Sequence, residues 1–79
     1  MDKNALKTYI IELALLDESE LEDDTPLFSS GIIDSISLLS LVEWVEKQAQ
    51  IKVTPGQLTL ENWDTVERIV RFVEGATAR

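Results

Sequence analysis

Asp34 and Ser35, near the midpoint of this 79-residue chain, are a pair of residues suited to chemistry. They follow Gly31 and two apolar residues, and they open a long helical pattern. An Asp at a helix start can accept hydrogen bonds from the first-turn amides, and a serine at the first helical position lies exposed at the positive end of the helix dipole. A phosphodiester formed on the Ser35 hydroxyl would therefore lie where backbone amides favour an anion.

The pair also has an ordinary structural explanation. Asp and Ser are common helix-start residues, and most such pairs only cap a helix, so the dipeptide alone does not establish a function. The sequence contains no cysteine and no histidine, which excludes a Ser-His-Asp or Cys-His nucleophile, a disulfide framework and a thiolate metal site. Any reaction at Ser35 therefore needs a reactive group that is attached to the chain or supplied by a partner.

The charge of the chain is negative and unevenly distributed. The formal net charge is −8, and the segment from Asp17 to Asp34 contains seven acids and no Lys or Arg. An acidic surface repels nucleic acid and anionic lipid and attracts basic protein surfaces, so we expect salt-sensitive association with protein partners and no binding to nucleic acid or membranes. With no membrane-length apolar run and no signal peptide in the sequence, we expect a cytoplasmic protein that acts as a monomer.

Two amphipathic helices flank this acidic segment. Apolar residues at helical spacing predict a first helix over residues 2–16, capped by Asp2 or Asn4, and a second helix over residues 35–49. The residues expected to face the core are Leu6, Tyr9, Ile10, Leu13 and Leu16 in the first helix and Leu38, Leu41, Val42, Val45 and Ala49 in the second.

Residues 17–34 are too acidic and too broken for one continuous helix and are predicted to form a long connection. Its apolar residues can pin it to the core, namely Leu21, Leu27, Phe28, Ile32 and Ile33. The acids do not match a calcium loop, because an EF-hand that began at Asp17 would need Gly and Glu where the chain has Glu22 and Phe28. We interpret the segment as a solvated, anchored loop.

The C-terminal third begins with a turn at Pro55 and Gly56, which ends regular structure. A short helical turn is then predicted from Thr59, its cap, to Trp63.

The last helix is predicted to begin at residues 64–67, which resemble a capping box in its Asp form. Gly75 is a candidate stop, and residues 76–79 are expected to fray. The inner face of this helix is expected to carry Val66, Ile69, Val70 and Val73. The fold class is therefore all-α, with three main helices and one short helix.

The second helix has an apolar surface outside its core stripe. Ile36 and Leu39 fall near Glu43 and point away from the core, beside Ser35. Single exposed apolar residues are common, but a pair beside a presented serine favours a docking surface, so Ile36, Leu39 and Glu43 are candidate partner-binding residues. Trp44 lies on another side and either covers the edge of the core or joins an interface, of which we favour packing.

Several segments together resemble the acyl and peptidyl carrier protein family. They are Thr25-Pro26-Leu27-Phe28, Gly31-Ile32-Ile33-Asp34-Ser35-Ile36, Leu41-Val42 and Asp64-Thr65-Val66. The resemblance extends over nearly the whole chain, including its length, acidity and helix order. It implies a four-helix bundle with a short third helix, and 4′-phosphopantetheine carried on the serine of an Asp-Ser motif.

By that resemblance, Ser35 is the attachment site and Asp34 its motif neighbour and helix cap. The arm would come from coenzyme A through a phosphopantetheinyl transferase, and its terminal thiol would hold acyl or aminoacyl groups as thioesters. An acyltransferase or adenylation enzyme would load the arm, and a downstream synthase would receive the cargo. The chain itself would be a non-catalytic carrier.

The choice among carriers rests on a few positions. Ser37 and Ser40 stand where fatty-acid carriers have acids, and the Gly-Gly-His-Ser-Leu motif of carriers embedded in nonribosomal synthetases is absent. The Ile-Ile-Asp-Ser form resembles freestanding carriers of natural-product pathways and D-alanyl carrier proteins. Residues 1–79 are therefore expected to form one discrete carrier domain for polyketide or nonribosomal peptide assembly, with fatty-acid synthesis and D-alanyl transfer as alternatives.

A helical adaptor that binds partners and is never modified is the alternative from a different class. It would use the same exposed Ile36 and Leu39, while Ser35 would be an ordinary cap residue. A self-contained enzyme is the weakest hypothesis, because the chain offers no histidine or cysteine.

Overall fold

A computed structural model describes residues 1–77, and every regular element in that range is helical. Helix α1 spans Lys3–Ala14, α2 spans Ser35–Ala49, α3 spans Leu60–Trp63 and α4 spans Val66–Thr77, with 3-10 turns at Glu18–Glu20 and Pro55–Gln57. The predicted all-α, four-helix architecture with a short third helix is confirmed. None of the helices in residues 1–77 combines the length and the apolar composition that crossing a bilayer requires.

The ends of α1 and α2 follow from local backbone geometry. The Asn4 amide donates to Asp2 Oδ1 at 2.9 Å, so Asp2 rather than Asn4 caps α1. Helix α1 ends at Ala14, two residues before the predicted end, because Leu15 adopts a left-handed conformation with φ of 56°. Helix α2 has the predicted bounds, 35–49.

The core lies where α1 packs against α2 and α4, with α3 packed against α4. Within residues 1–77, nine side chains are almost completely buried: Leu6, Ile10, Leu27, Leu41, Val45, Trp63, Val66, Ile69 and Val73. Burying one such aliphatic side chain contributes about 1.5–3 kcal/mol to folding. Three anchors of the long connection, Leu21, Leu27 and Ile33, are buried as predicted, so this connection is part of the packed structure.

Asp23 fastens the long connection to the helices. Its carboxylate lies 2.8 Å from Lys3 Nζ and 2.6 Å from Lys7 Nζ, and its carbonyl accepts from the Glu67 amide at 3.0 Å. The hydrogen bond from Lys3, followed by that from Lys7, lowers the pKa of Asp23 below its ordinary value. The chain therefore turns back after Ala14 to reach the first turns of α1.

Trp44 packs at the edge of the core. Its ring stacks on that of Tyr9, with centroids 4.7 Å apart and planes 13° apart. The Tyr9 hydroxyl donates to the Ser40 carbonyl at 3.1 Å, so the same aromatic pair ties α1 to α2. Of the two roles predicted for Trp44, the structure shows packing.

The predicted capping box at residues 64–67 is wrong. Thr65 Oγ1 accepts from the Arg68 amide at 3.1 Å and so caps α4, whereas the Asp64 carboxylate bonds to a different part of the chain. The predicted stop at Gly75 is also wrong, because Gly75 keeps helical backbone and α4 continues to Thr77. Fraying is thus not seen at residues 76–77, while residues 78–79 lie outside the described part of the chain.

The C-terminal connection is more regular than expected. The turn at Pro55 and Gly56 forms a 3-10 turn, in which the Thr54 amide donates to Gln57 Oε1 at 2.9 Å. The predicted helical turn after Thr59 is confirmed, since Thr59 Oγ1 accepts from the Asn62 amide at 3.3 Å.

Candidate functional site

Ser35 is the first residue of α2 and lies exposed at the start of the helix, as predicted. Asp34 is the N-cap, and its Oδ1 accepts from the Ser37 amide at 2.8 Å. The first-turn amides of a helix have no intrahelical acceptor, and Ser35 lies within this first turn. The site therefore combines an exposed hydroxyl, a fixed carboxylate and the positive end of a 15-residue helix.

Asp34 is held in its charged form. The hydrogen bond from the Ser37 amide, and after it that from the Ser37 side chain, lowers the pKa of Asp34 below its ordinary value. The carboxylate is therefore ionised at neutral pH. Its hydrogen bond with the Ser37 amide fixes it as the cap of α2.

The segment before Ser35 is a turn that is held by its own backbone hydrogen bonds. Gly31 has φ of +84°, a conformation that favours glycine, and its amide donates to the Phe28 carbonyl at 3.1 Å. The Ile33 amide donates to the Leu27 carbonyl at 2.9 Å, and the Ile33 side chain is buried. A single residue, Asp34, separates this buried anchor from Ser35, so the turn fixes where the serine is presented.

Asp64, predicted as a helix cap, instead holds this turn in place. Its carboxylate accepts from the Phe28 amide at 2.9 Å, the Ser29 amide at 3.0 Å and the Ser29 hydroxyl at 2.8 Å. Burial by itself would raise the pKa of Asp64, but the hydrogen bonds from Ser29 and Phe28, helped by the positive charge of Arg68, lower it. Sequence reasoning missed this contact because its partners are 35 and 36 residues away along the chain.

An open groove of about 420 Å³ lies beside Ser35. Its lining comes from two regions, the turn with the start of α2 on one side and residues 58–63 on the other: Phe28, Gly31, Ile33, Asp34, Ser35, Leu38, Leu58, Thr59, Leu60 and Trp63. The sequence did not predict this groove, because it is formed by segments that are distant along the chain.

The residues predicted to bind partners lie on the surface near Ser35. Ile36 is 77% exposed and Leu39 60% exposed, and Glu43 is exposed on the same helix. Leu60, which sequence reasoning did not single out, is 54% exposed and lines the groove with Ser35. Three of the four most exposed large apolar residues in residues 1–77 therefore lie on α2 or across the groove from its first residue.

Comparison with known proteins shows the family of the chain. The family model described as a phosphopantetheine attachment site matches residues 4–73 of the chain. The chain belongs to the phosphopantetheine-binding carrier proteins. Similar proteins include the D-alanyl carrier protein of Streptococcus pyogenes serotype M5 (strain Manfredo), 36% identical over 62 residues, and that of Streptococcus uberis (strain ATCC BAA-854 / 0140J), 34% identical over 62 residues. In both, the match covers 78% of this chain and 77% of the relative.

The prosthetic group of this carrier protein is 4′-phosphopantetheine, attached covalently. The site fits such a group, since it offers an exposed hydroxyl at the start of a 15-residue helix, whose positive end favours a phosphodiester. The groove beside Ser35 leaves room for an arm to leave the surface. When bound, the arm supplies a terminal thiol, a group that this cysteine-free chain lacks.

Carrier proteins work with a phosphopantetheinyl transferase and with further partner enzymes, and they are in general non-catalytic. Neither histidine nor cysteine occurs in this chain. The proton of a serine hydroxyl has to be removed when a phosphodiester is formed on it, so we expect the partner enzyme to provide the base.

Proposed function

We propose that residues 1–79 act as one discrete carrier domain whose phosphopantetheine arm is attached to Ser35 Oγ. The observation that carries this proposal is the position of Ser35, exposed at the first position of α2 directly after the capping Asp34. The capping hydrogen bond of Asp34 comes from the Ser37 amide and not from the Ser35 hydroxyl. The first-turn amides and the helix dipole would then stabilise the phosphodiester by charge.

Incubation of the protein with coenzyme A and a broad-specificity phosphopantetheinyl transferase, followed by intact-mass measurement, tests this proposal. We expect the mass of one arm to be added to the wild type and to Ser40→Ala, a control that removes another exposed serine of α2. We expect no addition to Ser35→Ala. This variant should remain folded, because substitutions of exposed residues change stability by no more than about 0.5 kcal/mol in most cases.

A folded wild type that gains no mass, beside a competent control carrier in the same tube, would favour the adaptor hypothesis. Addition of an arm to Ser35→Ala would place the attachment site at another residue. Each result would overturn the assignment of Ser35.

We further propose that the cargo is an activated amino acid or a small acyl group. From its sequence we favour a role in polyketide or nonribosomal peptide assembly, whereas the names of the similar proteins favour the alternative of D-alanyl transfer. Ser37 and Ser40, which stand where fatty-acid carriers have acids, support neither choice over the other. An adenylation enzyme or acyltransferase would load the arm, and a downstream enzyme would receive the cargo.

Loading assays on the modified protein distinguish these cargoes. The protein would be offered D-alanine with ATP and a D-alanine-activating ligase, and in parallel L-amino acids or malonyl groups with their own loading enzymes. A mass gain with D-alanine alone would support the D-alanyl role, and a gain only with the other loading systems would support the natural-product role. Hydroxylamine should remove the cargo in either case, because it cleaves thioesters.

We also propose that Ile36, Leu39 and Glu43 contact the enzymes that act on the arm. These enzymes must cover the surface around Ser35, and Ile36 and Leu39 are the exposed apolar residues of α2 nearest to it along the chain. Exposed apolar residues at such a point favour burial against a partner.

A further inference from the structure

Asp64 is a buried acidic residue at the junction of α3 and α4. It directly follows Trp63 and is only 7% exposed. Its backbone carbonyl and its side chain both contact the same segment of the long connection, residues 27–29. Its backbone carbonyl accepts from the Leu27 amide at 2.6 Å, and its carboxylate accepts from the amides of Phe28 and Ser29 and from the Ser29 hydroxyl.

Packing alone does not explain an aspartate at this position. Burying a carboxylate is unfavourable unless several donors satisfy it, and an apolar residue would fill the space without that requirement. Helix capping does not explain it either, because Thr65 caps α4. The hydrogen bonds of Asp64 go instead to the turn that leads into Ser35.

A continuous series of bonds links Asp64 to Ser35. Asp64 holds residues 27–29, the Leu27 carbonyl accepts from the Ile33 amide at 2.9 Å, and the buried Ile33 is two residues before Ser35. A change at Asp64 therefore acts on the serine through the backbone, although the two side chains belong to different elements.

The same residue joins the two walls of the groove. Phe28, whose amide donates to the Asp64 carboxylate, lines one wall, and Trp63, which directly precedes Asp64 in the sequence, lines the other. The distance between Ser35 and exposed Leu60 across the groove thus depends on the contact that Asp64 makes.

We propose that Asp64 is a positioning residue, which holds the turn before Ser35 against the start of α4 so that partner enzymes meet the serine and the α3 surface in one fixed arrangement. This inference rests on the proposed attachment of the arm to Ser35. It assigns to a residue outside the Asp-Ser motif a role in how fast the arm is attached.

Transferase kinetics with coenzyme A, measured where circular dichroism shows each variant to be folded, test the inference. Asp64→Ala removes the acceptor, and the adjacent Thr65→Ala removes the α4 cap without touching the turn, which makes it the matched control. We expect kcat/KM for the carrier to fall about tenfold or more in Asp64→Ala, because small displacements of a reacting group have large effects on rate. We expect Thr65→Ala to stay within about twofold of the wild type, because its surface around Ser35 is unchanged.

A conservative variant and a local probe separate positioning from loss of fold. Asp64→Asn keeps an oxygen acceptor for the two amides, so we expect it to recover most of the lost kcat/KM. Amide hydrogen exchange across residues 27–35 should become faster in Asp64→Ala and stay as in the wild type in Thr65→Ala, because only the first variant releases the turn.

If the wild type gains the arm, and Asp64→Ala and Thr65→Ala lose kcat/KM equally, this inference is overturned and the proposed function stands. A wild type that gains no arm would overturn both. If Asp64→Ala does not fold, Ser29→Ala decides, since it removes only the hydroxyl that donates to the Asp64 carboxylate. Unchanged kinetics and exchange in Ser29→Ala would overturn the inference, and a slower reaction with faster exchange would support it.

Discussion

At the scale of single residues, three aspartates make contacts that organise the fold and the site. Asp34 caps α2, Asp23 binds Lys3 and Lys7, and Asp64 holds the turn at Phe28 and Ser29. In each case donors to the charged form lower the pKa, and at Asp64 they do so against the opposing effect of burial. The acidity of the chain therefore includes carboxylates that contribute directly to the fold.

These shifts predict how stability depends on pH. A carboxyl whose pKa is lower in the folded state binds fewer protons there than in the unfolded chain, so stability rises with pH through that window. The contribution is present above the unfolded pKa, about 3.9, and is lost as pH falls through the folded value. We expect the free energy of unfolding in urea to be nearly constant from about pH 7 to 5 and to fall below about pH 4.

Asp64→Asn should make this acid loss smaller, because the variant has no proton to bind at that position. At neutral pH the same variant should be less stable than the wild type by about 1–3 kcal/mol, since hydrogen bonds to a charged acceptor are replaced by weaker ones. Urea unfolding of both proteins at pH 7, 5, 4 and 3 measures the two effects. Parallel pH dependences would contradict the role given to the Asp64 carboxylate.

At the scale of the elements, α1 and α2 each end at a residue that adopts the left-handed conformation without being a glycine. Leu15 after α1 and Gln50 after α2 have φ of 56° and 54°, the left-handed conformation for which glycine is the usual choice. At both ends the next residue donates back to the helix, Leu16 to the Ile11 carbonyl at 3.0 Å and Ile51 to the Glu46 carbonyl at 3.2 Å. Each end therefore carries backbone strain.

Leu15→Gly should stabilise the protein by about 0.5–1 kcal/mol, because relief of the left-handed strain exceeds the extra freedom that glycine gives the unfolded chain. The Leu15 side chain is 91% exposed, so little packing is lost. Leu15→Ala is the control, since it shortens the side chain but keeps the Cβ atom that causes the strain. Thermal unfolding of the three proteins is the measurement, and an equal gain in both variants would refute the explanation by strain.

At the scale of the whole molecule, the chain combines an acidic connection with an exposed apolar surface on α2. The exposed face of α2 near Ser35 carries Ile36 and Leu39, while the seven acids of residues 17–34 precede it in the chain. We expect the acids to act on partners at long range and the apolar residues to act in the bound complex.

Ile36→Asp tests the short-range part of this expectation. It should lower kcat/KM for arm attachment about tenfold while changing the free energy of unfolding by less than about 0.5 kcal/mol, because the side chain is 77% exposed. Gln48→Glu is the control, an exposed site on the same helix about 18 Å from Ile36 that receives the same added charge. Attachment rates and thermal unfolding are measured in parallel, and retained attachment with a lowered melting temperature would mean that Ile36 belongs to the core.

Much of the fold, and the position of Asp34 and Ser35 at a helix start, could be predicted from the sequence because they depend on local patterns. Apolar spacing gave the helices and most of their inner faces, and the bounds of α2 were predicted to the residue. The helix start at Asp34 and Ser35 is marked by a hydrogen bond between residues three positions apart. Such patterns depend on residues within a single helical turn, so they can be recognised without knowledge of the tertiary structure.

The wrong predictions arose where tertiary contacts overrode a local sequence pattern, or where no local pattern existed. Asp64 looks like a cap because Asp is a usual cap residue, yet its carboxylate is drawn to amides 35 and 36 positions away. Gly75 looks like a stop, but α4 continues through it. Leu15 and Gln50 carry no glycine signal for the left-handed ends that they adopt.

The sequence by itself therefore determined the helical class and the exposed Asp-Ser start of α2, because both depend on neighbours in the chain. Its segments together also carried the resemblance to carrier proteins. Only the tertiary structure decided that the turn before Ser35 is held by Asp64 and that an open groove faces the serine. Both features join segments that are far apart in sequence. Their contacts are set by how the helices pack, which no local pattern records.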